Sequence, residues 1–498
     1  MVSAFIRKII GATGVLLLAG STAIAADGKD KLEKLMKFYA DHDHFNGTVL
    51  IARKGGVLLV KGYGYQNIEK KIPNDEKTVF QIGGVSMQFT AELMLLLDSQ
   101  GRLGHGDKVS KYLPDFPDGK KITLKNLLTH TSGIYDYTSD TALMNNLTRS
   151  IPLDTLMAII QSKPLAFEPG EKYQFTYANY VVLADIMEKI TRWNLEDQVK
   201  TKIFHVCGMY HSGFDYTNMK SEHKSTGYYT DGKGVLTPAP ITDSTLTYAS
   251  ADIFSTVEDL YKWHKALSAY TLIPEDWQDV GFTPMKYNHA AGWDINHMYQ
   301  KKFEEQGGTV SGFSSYILRQ PGDDLLVVLL QNQMVPVEDN KVIAHNIVKC
   351  LYEPAYKLPV TDNMAGEKEA NAAAEAKAMA LQDEKDKAEA EERRLHPVII
   401  PEKKLVIVKP EPYVQFIGEY VTDPVFSVMI THVGSVMYAQ PTSQNLLMLT
   451  VDANNPMLYH AEGGRDVEFV KDETDEVIKL KYRYNGKEKE AVKKLKQR

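Results

Sequence analysis

VFQIGGVSMQFTAELMLLLDSQGRLGHGDKVSKYLPDFP, residues 79 to 117, is the segment around which the rest of the chain falls into order. From Ser86 to Ser99 it reads as a helix, with Leu93, Leu96 and Leu97 on one face. Upstream, Leu32, Leu35, Met36 and Tyr39 repeat at helical spacing, so the mature chain opens with an amphipathic helix. Thr48–Arg53 and Val57–Lys61 read as two strands joined by a tight Lys54-Gly55-Gly56 turn. Downstream, Phe313–Leu318 and Leu325–Leu330 form a second hairpin around Pro321-Gly322-Asp323, and Asn340–Leu351 a closing helix. Helix, hairpin, long middle, hairpin, helix predicts an α/β (α+β) domain over residues 26–360, an antiparallel sheet flanked by helices.

Composition narrows the classes of function. The chain has 498 residues, 57 Lys plus Arg and 64 Asp plus Glu, a formal charge of −7. That balance lacks the basic surplus of a nucleic-acid binder. Residues 1–25 read as a signal peptide: Arg7 and Lys8, an apolar run Ile9–Ala19, then Ala23-Ile24-Ala25 before a cut at Ala25/Ala26. The run is too short to span a bilayer, so an exported protein without a transmembrane anchor is expected, periplasmic or extracellular. Cys207 and Cys350 are expected as buried free thiols, and no Cys/His spacing suits zinc. Asp41-His42-Asp43-His44 reads as a solvated helix end rather than a metal site. No metal or cofactor is expected.

Residues 361–396 are rich in Ala, Glu and Lys, which predicts a solvated helical linker. Residues 397–498 turn to short strand-like runs: KLVIV, FSVMITHV, SVMYAQ, NLLMLTV, DVEFV, and a hairpin around Asn485-Gly486. A small antiparallel barrel or sandwich is expected there.

Five segments, in order, resemble the serine β-lactamase and penicillin-binding-protein family, and within it the class C β-lactamase and D-Ala-D-Ala peptidase group. They are the 79–117 run, ITLKNLLTHTSGI (Ile122–Ile134), FEPGEKYQFTYANYVVLADIMEKIT (Phe167–Thr191), IFSTVEDLYKW (Ile253–Trp263) and QGGTVSGFSSYILRQP (Gln306–Pro321). The resemblance implies a β-lactamase/transpeptidase-like domain followed by a lipocalin-like tail. It also implies a serine opening the helix as nucleophile and a lysine one turn later as its base.

Neither residue is present. Aligned on Gln88-Phe89-Thr90, the nucleophile position is Gly84 and the lysine position Met87. Ser86, two residues on, should point about 200° away around a regular helix, and the residue three further on is Phe89. Gly84-Val85-Ser86-Met87-Gln88 also fails as a Gly-x-Ser-x-Gly elbow. The family's cationic strand motif is here Gln306-Gly307-Gly308, which carries no charge to hold a carboxylate. Asp252 is expected to bring negative charge near the cleft. The family's Tyr-x-Asn element persists as Tyr177-Ala178-Asn179, and its oxyanion donors match the N–H groups of Gly84 and Thr309. His130 and Ser132 are expected in a structural turn.

The residues thus predict a degenerate hydrolase that binds a peptide, a cell-wall fragment or an envelope protein partner, with Gly84, Met87, Asn179, Gln306, Gly308 and Thr309 as binding positions. Tyr177 is the retained catalytic position. Two alternatives stand beside this. Tyr177 and Asn179 persist through packing alone, or the chain is an active D-Ala-D-Ala peptidase, β-lactamase or esterase using Ser86 or a Tyr177-activated water. In a further reading the β domain is the functional module.

Overall fold

The structure, a computed structural model, describes residues 28–230, 235–284, 286–374, 376, 377 and 380. In the C-terminal part it describes 416, 418–423, 426–433, 436–441, 447–452, 455–461, 465–473, 477–484 and 487–493. The expected leader, linker residues 381–396 and the KLVIV run lie outside the described residues. The chain divides near residue 398 into two compact units, taken in turn.

In the first unit, α1 (28–41) buries Leu32, Leu35, Met36 and Tyr39, the stripe its spacing predicts. β1 (Gly47–Arg53) and β2 (Gly56–Tyr63) follow as a hairpin. Its two loop residues, Lys54 and Gly55, take φ of 52° and 79°, the handedness that matches strand twist.

β1 and β2 join β3 (Asp294–Met298), β4 (Lys301–Val310), β5 (Phe313–Gln320) and β6 (Leu325–Gln331) in a six-stranded antiparallel sheet of order β2-β1-β6-β5-β4-β3. β6 is apolar throughout until Gln331 because both of its faces are covered. Leu325, Val327 and Leu329 pack with α1 and α6 (Val337–Tyr352), whereas Leu326, Val328 and Leu330 face the larger helical core. Each such leucine contributes about 1.5–3 kcal/mol by leaving water.

That larger core holds α2 (Met87–Ser99), α3 (Leu124–Leu128), α4 (Ala178–Thr191) and α5 (Val257–Ser268). Two expectations for α2 need correcting. It begins at Met87, after a 3-10 turn over Gly83–Ser86, rather than at Ser86. It is also buried on nearly every side, with Leu96 one of the few partly exposed positions, because α4 and the short helices Leu195–Val199 and Glu275–Gly281 pack around it.

The start of the linker is docked, not solvated. Residues 364–374 are helical, and Met364 enters the core beside α1 and α6. Asn346 Nδ2 donates to Glu367 Oε2 (2.5 Å), Lys368 pairs with Asp339 (2.7 Å), and His44 pairs with Asp362 (2.9 Å). The Asp41–His44 cluster therefore does more than end a helix, since its last histidine ties down the segment that leaves the domain.

The second unit is a closed eight-stranded antiparallel barrel: β7 (Gly418–Asp423), β8 (Phe426–Val433), β9 (Val436–Pro441), β10 (Leu447–Val451), β11 (Leu458–Ala461), β12 (Arg465–Lys471), β13 (Val477–Tyr484) and β14 (Lys487–Lys493). β14 pairs back onto β7, as Lys493 with Tyr420 and Val492 with Val421. Closure leaves no free sheet edge. Phe416, Tyr420, Tyr459 and Phe469 fill the interior, with Phe416 and Phe469 stacked at 4.5 Å. β7 and β11 were not among the runs that the sequence pattern singled out.

Candidate functional site

The cleft forms where the turn before α2 abuts β4, and there backbone meets backbone. A Cβ on Gly308 would lie 2.3 Å from Gly84 N, and one on Gly83 would lie 2.8 Å from Thr309. Gly83 also has a φ of +51°, so both close approaches require glycine. Ser315 Oγ donates to Ile82 O (2.6 Å) and Ile82 N–H donates to Ile253 O (3.0 Å), which hold the turn on the sheet.

Gly84 lines a cavity of about 340 Å³, together with Gln306, Gly307, Gly308 and Thr309. A Cβ on Gly84 would meet Gly307 O at 3.2 Å and Gln306 Nε2 at 3.8 Å, so this is where a nucleophile's side chain would enter the cleft. Neither Ser86 nor Met87 lines it. Ser86 is fully buried and its Oγ accepts from Ile253 N–H (3.2 Å), while Met87 is fully buried in the apolar core. The expectation that Ser86 turns away from Gly84 matches this placement, although the local helix is 3-10. Gln306 lines the cleft with its side chain folded back, Nε2 donating to Gly307 O (3.0 Å).

The opposite wall comes from the Ile122–Ile134 turn and the start of α4. Thr123 and Asn126 close a reciprocal cap on α3: Thr123 Oγ1 accepts from Asn126 N–H (3.1 Å) and Asn126 Oδ1 accepts from Thr123 N–H (2.9 Å). After the helix, His130 takes φ +54° and turns into the cleft. Burial pushes the His130 imidazole down to about 3, so it is neutral at physiological pH. Its Nδ1 accepts from Thr176 N–H (3.3 Å) and lies 3.2 Å from Asn179 Nδ2, which places the ring proton on Nε2. The structural-turn expectation holds for Ser132, whose Oγ donates to Asn179 Oδ1 (2.5 Å). His130 does both jobs, bracing the turn and lining the cleft.

Tyr177 and Asn179 separate. Tyr177 lines the cleft, and its Oη donates to Thr309 O (3.3 Å) across to β4. Burial, with the charge of Asp136 second, raises its phenol to about 12, so it is a hydrogen-bond donor rather than a base near neutral pH. Asn179 is fully buried, is not among the cavity-lining residues, and is engaged by Ser132 and His130. Packing is the role that fits Asn179 here.

Asp252 requires a correction. It is buried, accepts from Ala249 N–H (2.9 Å) and does not line the cleft. Burial raises its carboxyl to about 8, so at neutral pH it is mostly uncharged. Negative charge at the cleft comes instead from Asp294 and Glu338.

Several cleft residues escaped the sequence reading. Tyr173 stacks on His289, with centroids 3.5 Å apart and planes 6° from parallel. His289 Nδ1 is hydrogen-bonded to Asp294 Oδ1. Tyr173, Phe175 and Tyr177 alternate along YQFTY, a period of two that places all three rings toward one side and was legible in the sequence. His289, Asp294 and Glu338 gave no such signal. Cys207 and Cys350 are free thiols, as expected, but both are half-buried rather than buried. Among the described residues no helix is long and apolar enough to cross a membrane.

An α+β core carrying a nucleophile-type turn on an antiparallel strand defines a β-lactamase/transpeptidase-like protein. The Beta-lactamase family pattern matches residues 29–350, and the chain belongs to that family. It is 32% identical over 310 residues to "Putative penicillin-binding protein PbpX" of Bacillus subtilis (strain 168), covering 61% of this chain and 74% of that one. It is 30% identical over 326 residues to "Protein flp" of Staphylococcus aureus (strain N315), covering 62% of this chain and 64% of that one, so it spans just under two thirds of that relative. The fold matches an octameric penicillin-binding protein homologue from Pyrococcus abyssi with a TM-score of 0.59 and 21% identity, over 93% of this chain and 99% of that one.

Proposed function

We propose that this is an exported member of the β-lactamase family that has lost acyl transfer and uses the cleft to bind a peptide, a cell-wall fragment or an envelope protein partner. The observation that carries the reading is Gly84 at the point where a nucleophile's side chain would enter the cleft, with Ser86 buried against Ile253 N–H and Met87 in the core. Glycine offers no attacking atom, and methionine cannot hold a proton. The cavity that remains suits a small peptide and is within the usual size range of ligand sites. Export rests on the residues 1–25 pattern.

The test is intact-mass spectrometry of the mature protein after incubation with a penicillin and with a fluorophosphonate, beside a Gly84→Ser, Met87→Lys, Gln306→His variant. The expected result is no adduct on the natural protein and labelling of the variant, with circular dichroism checking that the variant folds. An adduct on the natural protein would overturn the proposal.

A second reading, hydrolysis by an activated water, draws on His289. With Nδ1 engaged by Asp294, its Nε2 is left as the basic nitrogen in the cleft that also holds the Gly84 and Thr309 backbone. It requires ester turnover that survives fluorophosphonate and disappears in His289→Ala.

A further inference from the structure

Apart from His130 and His289, the charged side chains that line the cleft are carboxylates. Among the described residues that line it, the groups that carry formal charge at neutral pH as carboxylates are Asp294 and Glu338, and no lysine or arginine is present. The position that supplies a cation in the family's strand motif holds Gln306, whose amide is turned onto Gly307 O. Asp294 Oδ1 is hydrogen-bonded to His289 Nδ1, and Glu338 lies exposed in the first turn of α6.

The apolar part of the lining points the same way. Tyr173, Phe175, Tyr177 and Trp293 contribute aromatic rings to one cavity. Aromatic faces are electronegative and attract cations. The fields felt by the tyrosines agree: Asp294 acts on Tyr173, and Asp136 acts on Tyr177, both in the sense of added negative charge. An ammonium needs two or three acceptors and tolerates ring faces, whereas a carboxylate needs donors or a cation. The cleft offers Asp294, Glu338 and ring faces to an ammonium, and no lysine or arginine to a carboxylate.

We infer that the cleft selects its ligand through a primary ammonium group, as on a peptide with a free amine, and not through a carboxylate. This rests on the reading of the cleft as a binding site and reverses the charge expected of the ligand. Asp294 and Glu338 are the specificity-determining residues, with the rings of Tyr173 and Tyr177 as the faces against which the cation sits.

The test is isothermal titration calorimetry of the full mature chain with three matched dipeptides. Phe-Ala amide carries an ammonium only, N-acetyl-Phe-Ala a carboxylate only, and N-acetyl-Phe-Ala amide neither. The expected result is that the ammonium peptide binds at least tenfold tighter than the other two. The Asp294→Asn, Glu338→Gln double variant should bring it to within about twofold of the neutral peptide measured on that same variant. Equal binding of the ammonium and neutral peptides, or preference for the carboxylate, overturns this inference and leaves the binding-site reading standing. Failure of all three to bind at millimolar concentration overturns both.

Discussion

At the scale of single residues, what decides this protein's chemistry is where three side chains are not. Gly84 leaves the cleft floor bare, Met87 sits in the core, and Ser86 spends its hydroxyl on Ile253 N–H. Asp252 shows how far residue type can mislead about charge. Because burial raises its carboxyl to about 8, the folded state holds a proton that the unfolded chain releases near 4. The folded protein binds more protons through that window, so this group's contribution is fully present below about pH 4 and is lost as pH rises toward 8. Asp252→Asn keeps the acceptor for Ala249 N–H and cannot ionise. Its stability relative to the natural protein should therefore rise between pH 5 and pH 8, by on the order of 1 kcal/mol per pH unit. Urea unfolding at several pH values checks this, and parallel pH dependence in the two proteins would contradict it.

At the scale of elements, the cleft depends on the turn before α2 lying flat on β4. The contact is made by glycines because only backbone fits between Ile82–Gly84 and Gly308–Thr309. Gly308→Ala should push the two apart, and overpacking of this kind costs about 1–3 kcal/mol. The same variant should also weaken any ligand of the cleft, because Gly84 and Thr309 are displaced together. Thermal unfolding and binding measured on one preparation would separate that outcome from a simple surface effect, in which neither changes. The paired capping of α3 by Thr123 and Asn126 works on the facing wall, fixing the turn that holds His130 at φ +54°.

At the scale of the whole molecule, two compact units share one chain. Each has its own core, one on both faces of the six-stranded sheet and the other inside the closed barrel. Calorimetry should therefore resolve two unfolding transitions, the smaller belonging to the roughly 100-residue barrel, consistent with enthalpy scaling with size. A peptide bound in the cleft should raise only the larger transition, by mass action. A ligand that raises the smaller one instead would favour the barrel as the functional module.

Periodicity alone was enough for the terminal elements: α1, the β1–β2 and β5–β6 hairpins and α6 lie where apolar spacing and turn residues put them, because those signals are local. The family motifs located Tyr177, Gln306 and Thr309 in the cleft and exposed the missing serine and lysine, since the motif is a contiguous run. Other features depended on residues far apart in sequence. The burial of α2 on nearly every side, the neutrality of Asp252, the engagement of Asn179 by Ser132 and the stacking of Tyr173 on His289 are of this kind. So is the meeting of Asp294 and Glu338 in one cavity, since they come from a strand and a helix far apart in sequence. The sequence by itself determined that Gly84 and Met87 stand where the family's serine and lysine would be. Which charges and rings share the cavity was decided only by tertiary structure, because desolvation and proximity are properties of the packed chain and not of any segment.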